Sequence, residues 1–231
     1  MSELSVVIPV YNEEAFIPML IHDWVDAFNA LHITYTLICI NDGSKDNTAV
    51  ILNEFASSNK NILVIEQNNT GHGPAIMRGY KKALQSEWVF QVDGDHQYSA
   101  KTFAKFWNNR KDYDLLIGER MYKNESVFRK IVSAVARFSV LIVCGTSLKD
   151  VNCPYRLIRA SVLEKAIAAI PSKSFAPNLM MSIFFLVKKG KIYVAPIPRS
   201  DIPSKRSGLN KYMLKGAVKS FYQMVNFRLK L

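Results

Sequence analysis

Apolar residues in the first half of the chain come in short, nearly continuous blocks. Residues 4–10, 35–40, 62–66 and 88–92 each read as a buried strand. Between them the apolar spacing changes to the helical period. Helices are expected over 13–30, from about Asn47 with Ile51, Leu52 and Phe55 on one face, and over 74–84. Strand–helix alternation of this kind predicts an α/β fold with a mostly parallel central sheet flanked by helices. After about residue 110 the blocks spread out: 114–118, 153–158 and 192–197 read as strands, and 128–144, 161–170 and 178–188 as helices. The stretch 211–231 reads as a basic amphipathic helix, so the chain divides into a body over 1–210 and a helical elaboration over 211–231.

Ligands in open α/β sheets sit beyond the carboxyl ends of the strands. Three polar clusters fall at such ends: Tyr11-Asn12-Glu13, Asn41-Asp42-Gly43-Ser44 and Asp93-Gly94-Asp95. Asp93 and Asp95, two apart, can share a divalent cation that prefers hard oxygen ligands, and Gly94 lets the backbone approach a ligand closely. A calcium loop is excluded, because Tyr98 and Ala104 stand where its glycine and glutamate are required. Asp42 is suited to accept hydrogen bonds from a base or ribose. The loop 69–75, with Gly71 and Gly73, enters a helix; its spacing fits neither a P-loop nor a dinucleotide fingerprint, and close backbone packing on a nucleotide is the better reading.

The formal net charge of +11 calls for an anionic partner, which a phosphorylated substrate, a membrane surface or nucleic acid would satisfy. No nucleic-acid reader motif occurs, so a basic nucleic-acid-binding module is the alternative from another class and not the expectation. Cys39, Cys144 and Cys153 have no metal-like spacing and read as reduced thiols of a cytoplasmic protein. Neither a signal peptide nor a spanning helix is expected, since the basic start, the cleavage site and a long uninterrupted apolar run are all missing.

Taken in order, Val6-Val7-Ile8-Pro9-Val10-Tyr11-Asn12-Glu13-Glu14, Asn41-Asp42-Gly43-Ser44, the loop 69–75 and Asp93-Gly94-Asp95-His96-Gln97 resemble the inverting family-2 glycosyltransferases of GT-A fold. The branch is similar to dolichyl-phosphate mannose synthase and the bacterial polyprenyl-phosphate glycosyltransferases. The resemblance covers about residues 4–215 and implies a Rossmann-like GT-A domain that is a transferase of hexosyl type. By it, Pro9, Tyr11, Glu13, Asp42 and Gly73 serve the nucleotide sugar, and Asp93, Asp95 and Gln97 hold Mg2+ or Mn2+. Arg120 in Gly118-Glu119-Arg120 matches an arginine that reaches the active site. Asp150 and Arg156 fall in a segment similar to D-x-x-[SC]-G-[FY]-R, with Pro154 in place of the glycine. Lys205 and Arg206 match a basic loop that closes over the phosphates.

The implied reaction is one displacement at the anomeric carbon with inversion, from a UDP- or GDP-sugar. A hydroxyl acceptor, on a saccharide or lipid-linked glycan, needs a base, for which Asp150 is the candidate. A polyprenyl phosphate is already ionised near neutral pH and needs none, which leaves Asp150 an orienting role. Helix 128–144 joins Arg129, Lys130 and Arg137 to an apolar face, and the tail joins Lys211, Lys215 and Lys219 to Leu214, Val218, Phe221 and Val225. These stripes suit a peripheral location on the cytoplasmic face of a membrane, or a contact with a second copy or a membrane-protein partner.

Overall fold

The computed structural model describes the side chains of residues 2–121, 133–199 and 221–231, and in addition the helical backbone over 127–132 and 211–220. Lys205 and Arg206 lie outside the described residues, as do the side chains of Arg129, Lys130, Lys211, Lys215 and Lys219.

The strands are β1 (Leu4–Val10), β2 (Tyr35–Asn41), β3 (Ile62–Glu66), β4 (Trp88–Gln91), β5 (Leu115–Met121), β6 (Arg156–Arg159) and β7 (Ile192–Pro198). The helices are α1 (Ile17–Ala30), α2 (Thr48–Ser58), α3 (His72–Ala83), α4 (Phe103–Asn109), α5 (Val127–Cys144), α6 (Ala160–Ala169), α7 (Pro177–Val187) and α8 (Lys211–Lys230). Among the described residues the strands form one seven-stranded sheet in the order β3-β2-β1-β4-β6-β5-β7. β1 pairs in parallel with both β2 and β4, and all seven of its residues are buried, as a strand covered on both faces requires. β6 runs antiparallel to both β4 and β5, so one reversed strand interrupts a sheet that is otherwise parallel.

Side chains alternate across the sheet, so Phe90 and Gln91 face opposite layers. On the Phe90 side, Trp24 and Phe28 of α1, Phe103 of α4 and Tyr155 make an aromatic core, with Trp24–Phe90 centroids 5.1 Å and Phe90–Tyr155 centroids 4.8 Å apart. On the other side α3 lies close to the sheet. A Cβ on Gly79 would meet Val7 Cγ1 at 2.3 Å, so only glycine permits this approach.

Several boundaries differ from the sequence expectation. α1 begins at Ile17 rather than near residue 13, because Glu13 O accepts the amides of Phe16 and Ile17 in a tight turn first. The strand expected over 153–158 begins only at Arg156. Pro154 has no N–H to donate, and Cys153 O is turned to the Arg156 guanidinium at 2.6 Å and 2.9 Å. α4 was not anticipated, although Phe103, Phe106 and Trp107 bury one helical face.

Gly79→Ala is expected to lower stability by about 1–3 kcal/mol through overpacking against Val7, despite alanine's better helix propensity. Denaturant unfolding of both proteins measures it, and an unchanged midpoint would contradict the close packing.

Candidate functional site

The parallel pairing of β1 with β2 and β4 sets three strand ends side by side. At those ends Pro9, Val10, Tyr11 and Glu13, Asp42, and Asp93-Gly94-Asp95 border one cavity of about 190 Å³, together with Asn69, Gly71, His72 and Ala75. The structure therefore brings together the expected Pro9, Tyr11, Glu13, Asp42, Asp93 and Asp95.

Asp42 organises one side of this cavity. It is 3% exposed, and its carboxylate accepts four hydrogen bonds. Oδ1 takes Gln67 Nε2 at 2.6 Å, Thr70 N at 2.8 Å and Thr70 Oγ1 at 3.2 Å, and Oδ2 takes Gly71 N at 2.8 Å. These bonds fold the loop 67–71 over the pocket. Gly71, at φ +94°, makes the turn into α3. Gly73 does not border the cavity: its missing Cβ leaves room for Ser174 O, which a Cβ would meet at 2.2 Å. Its role here is packing of α3 against the segment before α7.

The turn after β1 is fastened to the turn after β2. Ser44 Oγ accepts the Asn12 amide at 3.0 Å, Asn12 Oδ1 accepts the Lys45 amide at 2.7 Å, and Thr48 Oγ1 accepts the Glu13 amide at 2.9 Å. Asn12 is held at φ +55°, in the left-handed region that asparagine tolerates better than most residues.

Asp93 is held from behind. Its Oδ1 lies 2.9 Å from His72 Nε2 and accepts Gln91 Nε2 at 3.2 Å; Gln91 Oε1 in turn accepts Tyr80 OH at 3.3 Å. Tyr80 is fully buried, and burial raises its phenol well above the usual range, so it stays a donor. His72 was not singled out from the sequence, because a histidine inside a glycine-rich loop has no motif of its own. Its place at the first turn of α3 is the signal that would have found it.

Among the described residues no cluster of three or more His, Cys, Asp or Glu side chains is placed to hold a metal unaided. Asp93 and Asp95 border one cavity and would be the residues to hold a divalent ion that takes hard oxygen ligands. Gln97 is 6% exposed and stands apart from the cavity-lining residues.

The second half of the site sits on the same sheet edge. β5 parallels β4 in direction, and the reversed β6 between them brings its leading residues, including Asp150, to that edge. Two strand spacings put this group about 10 Å across the sheet from the Asp93 turn. Arg120 and Asp150 form a bidentate pair, with Nε to Oδ2 at 2.6 Å and Nη2 to Oδ1 at 2.7 Å, and the Arg120 amide adds a bond to Oδ2 at 3.2 Å. Burial alone would lower the Arg120 pKa; the hydrogen bonds and charge of Asp150 more than reverse this and hold it well above the ordinary value.

Arg156 does not join them at an open surface. It is 0% exposed, with Nε and Nη2 donating to Cys153 O and Nη1 donating to Asn178 O at 2.9 Å. Burial lowers its pKa. Arg156, placed among the catalytic residues by resemblance, has its guanidinium in the interior, where it ties the turn after Asp150 to the first turn of α7. That side-chain closure also explains how Pro154 replaces glycine, since no left-handed backbone is needed there.

Residues 5–167 match the family model described as Glycosyl transferase family 2. The chain is 31% identical over 211 residues to the undecaprenyl-phosphate 4-deoxy-4-formamido-L-arabinose transferase of Proteus mirabilis (strain HI4320), covering 90% of this chain and 64% of that protein. The enzyme of the same name from Photorhabdus laumondii is 30% identical over 208 residues, covering 89% and 63%. The chain thus spans just under two thirds of the length of these relatives. Among solved structures, the Mycobacterium tuberculosis glucosyl-3-phosphoglycerate synthase in complex with Mn2+, UDP-glucose and phosphoglyceric acid matches with a TM-score of 0.68 at 15% identity, covering 98% of this chain and 80% of that one. Staphylococcus aureus TarS 1–349 in complex with UDP matches with a TM-score of 0.57 at 17% identity, covering 84% and 57%. These structural likenesses show the GT-A fold. With most of its length inside the matched region, the chain belongs to glycosyl transferase family 2.

Proposed function

We propose that the protein transfers a sugar from a nucleotide-sugar donor to a polyprenyl phosphate, with inversion, at the cytoplasmic surface of a membrane. The observation that carries this reading is the Arg120–Asp150 pair on the same sheet edge as the Asp93–Asp95 turn. A guanidinium fork there suits a phosphate, and its present carboxylate partner has the same bidentate geometry. The relatives from Proteus and Photorhabdus, both named for undecaprenyl phosphate, support the acceptor. The Mn2+ and UDP-glucose in the M. tuberculosis structure support a divalent ion and favour a uridine donor over a guanosine one.

In this reading Pro9, Tyr11, Glu13 and the loop held by Asp42 receive the nucleoside, and Asp93 and Asp95 hold the ion beside the diphosphate, with His72 fixing Asp93. When bound, the ion offsets the charge gathering on the departing nucleotide. Gln97, a metal ligand by resemblance, is buried and does not line the cavity, and Lys205 and Arg206 are assigned to the diphosphate by resemblance. Asp150 orients Arg120 toward the acceptor phosphate. Both of its oxygens are engaged by Arg120, a poor arrangement for taking a proton. Transfer to a hydroxyl, with Asp150 as base, is the competing reading.

Three measurements test this. Asp95→Ala is expected to cut sugar transfer on the order of 100–1,000-fold with magnesium or manganese present, and full activity would refute the ion site. Asp150→Asn is expected to raise the acceptor KM about tenfold while kcat falls less. A collapse of kcat at unchanged acceptor KM, or transfer to unphosphorylated acceptors, would instead establish Asp150 as a base. Asp42→Asn loses acceptor capacity where four donors converge, so a loss of about 1–3 kcal/mol in stability and weaker donor binding are expected. Thermal shift with UDP- and GDP-sugars, with and without Mn2+, measures both.

A further inference from the structure

Arg199 belongs to no motif and lies one residue beyond β7. Two pairings fix its place. β7 runs parallel to β5 with Ile197 opposite Arg120 and Pro198 opposite Met121, and opposed residues share a face of the sheet. A Cβ on Gly118 would meet Ile197 Cδ1 at 2.5 Å, so Ile197 leans over the face that Gly118 and Arg120 share. β7 alternates buried Ala195 and Ile197 with exposed Pro196 and Pro198, and the half-buried Arg199 continues the Ile197 phase. One strand spacing and one two-residue step place Arg199 about 8 Å from Arg120, toward the carboxyl edge.

The second pairing is an antiparallel bridge between Arg199 and Tyr98, three residues after Asp95. Tyr98 is 4% exposed, its ring lies 6.0 Å from that of Tyr155, and it is near enough to Arg120 to act on its charge. Arg199 is therefore fastened both to the chain that leaves the Asp93–Asp95 turn and to the strand that carries Arg120. The charges around Arg120 cancel: Asp150 offsets Arg120, and Lys149 Nζ stands 3.2 Å from Glu119 Oε1. A phosphate monoester carries about 1.5 to 2 negative charges near pH 7. A neutral pair can align such a group but cannot balance it, so a further cation is required within reach.

We propose that Arg199 is this cation, and that Arg120 and Arg199 together hold the phosphate monoester of the acceptor while Asp150 steadies Arg120. The proposal deepens the polyprenyl-phosphate reading and rests on it for the identity of the acceptor, but phosphate binding is measured without any transfer. The donor diphosphate is the competing ligand for Arg199, and the two are separated by experiment.

Calorimetry with farnesyl phosphate, and separately with UDP and Mn2+, tests the assignment. Arg199→Gln keeps a stem of similar shape and removes the charge. It is expected to weaken farnesyl phosphate at least about tenfold, the size of one charge-assisted bond, and to leave UDP affinity within about twofold of wild type. Arg199→Lys restores the charge without the fork and should recover part of the loss. Unchanged farnesyl phosphate affinity in Arg199→Gln, or a loss of UDP affinity in its place, would overturn the proposal. So would an equal loss in Arg199→Lys with Tm lowered in both, which would make the residue structural. Farnesyl phosphate binding that depends on Arg199, without transfer to any polyprenyl phosphate, would sink the functional reading and leave the phosphate site standing. Transfer to farnesyl phosphate that ignores Arg199 would do the reverse.

Discussion

The candidate site depends on β1 being paired in parallel along both edges. That pairing places Val10 level with Asn41 and Val7 level with Gln91, so the residues that leave β1, β2 and β4 do so at one edge of the sheet. Parallel ladders need both faces covered. α3 and the aromatic layer around Trp24 provide the cover, and Gly79 lets α3 come close enough to do so. The chemistry of the cleft is a consequence of this core. Loops that would otherwise wander are fixed by groups at strand ends, above all by the Asp42 carboxylate on the amides of Thr70 and Gly71.

Polar groups buried beneath the cleft work in the same sense. Tyr80, Gln91, Asp93 and His72 form a continuous chain from the core to the cavity wall. Leaving any one unpaired would cost about 1–3 kcal/mol, so the members hold one another in a single arrangement. Arg156 goes further, placing a whole guanidinium in the interior on carbonyl oxygens alone among its described hydrogen bonds. Replacing such a charge by an apolar side chain is often tolerated energetically. Its value is therefore geometric: it joins the turn after Asp150 to α7, and α7 follows the segment on which Gly73 packs.

The first half of this architecture was legible in the sequence because each strand there is a compact apolar block ending in a polar cluster. Leu4–Val10 and Ile62–Glu66 match the observed strands at both ends. The later half was harder to read. Cys153 and Tyr155 are as apolar as a strand, yet a proline and a side-chain bond to Cys153 O delay β6 until Arg156. The reversal of β6 also has no local signature, since it is decided by which neighbours are available. Within the site, residue types identified Asp93, Asp95 and Asp42, but not that Asp42 spends its carboxylate on a loop, nor that Arg156 is internal. Those facts depend on contacts between residues far apart in the chain, such as Arg156 with Asn178.

The reversed strand also accounts for where the Arg120–Asp150 pair sits relative to the Asp93 turn. Had β6 run parallel to its neighbours, its leading residues, and Asp150 with them, would lie at the opposite edge of the sheet, and Arg120 would lack its carboxylate partner. Because β6 is reversed, Arg120 is held in a fixed fork by Asp150 about two strand spacings from the Asp93 turn. An arginine fixed in this way by its carboxylate partner has already given up side-chain freedom, so in the proposed reading it would meet a phosphate with little further ordering cost. A nucleophile that arrives ionised then needs alignment more than deprotonation. In the proposed reading the intact Asp150–Arg120 pair would supply that alignment, whereas the pair would have to break for Asp150 to act as a base.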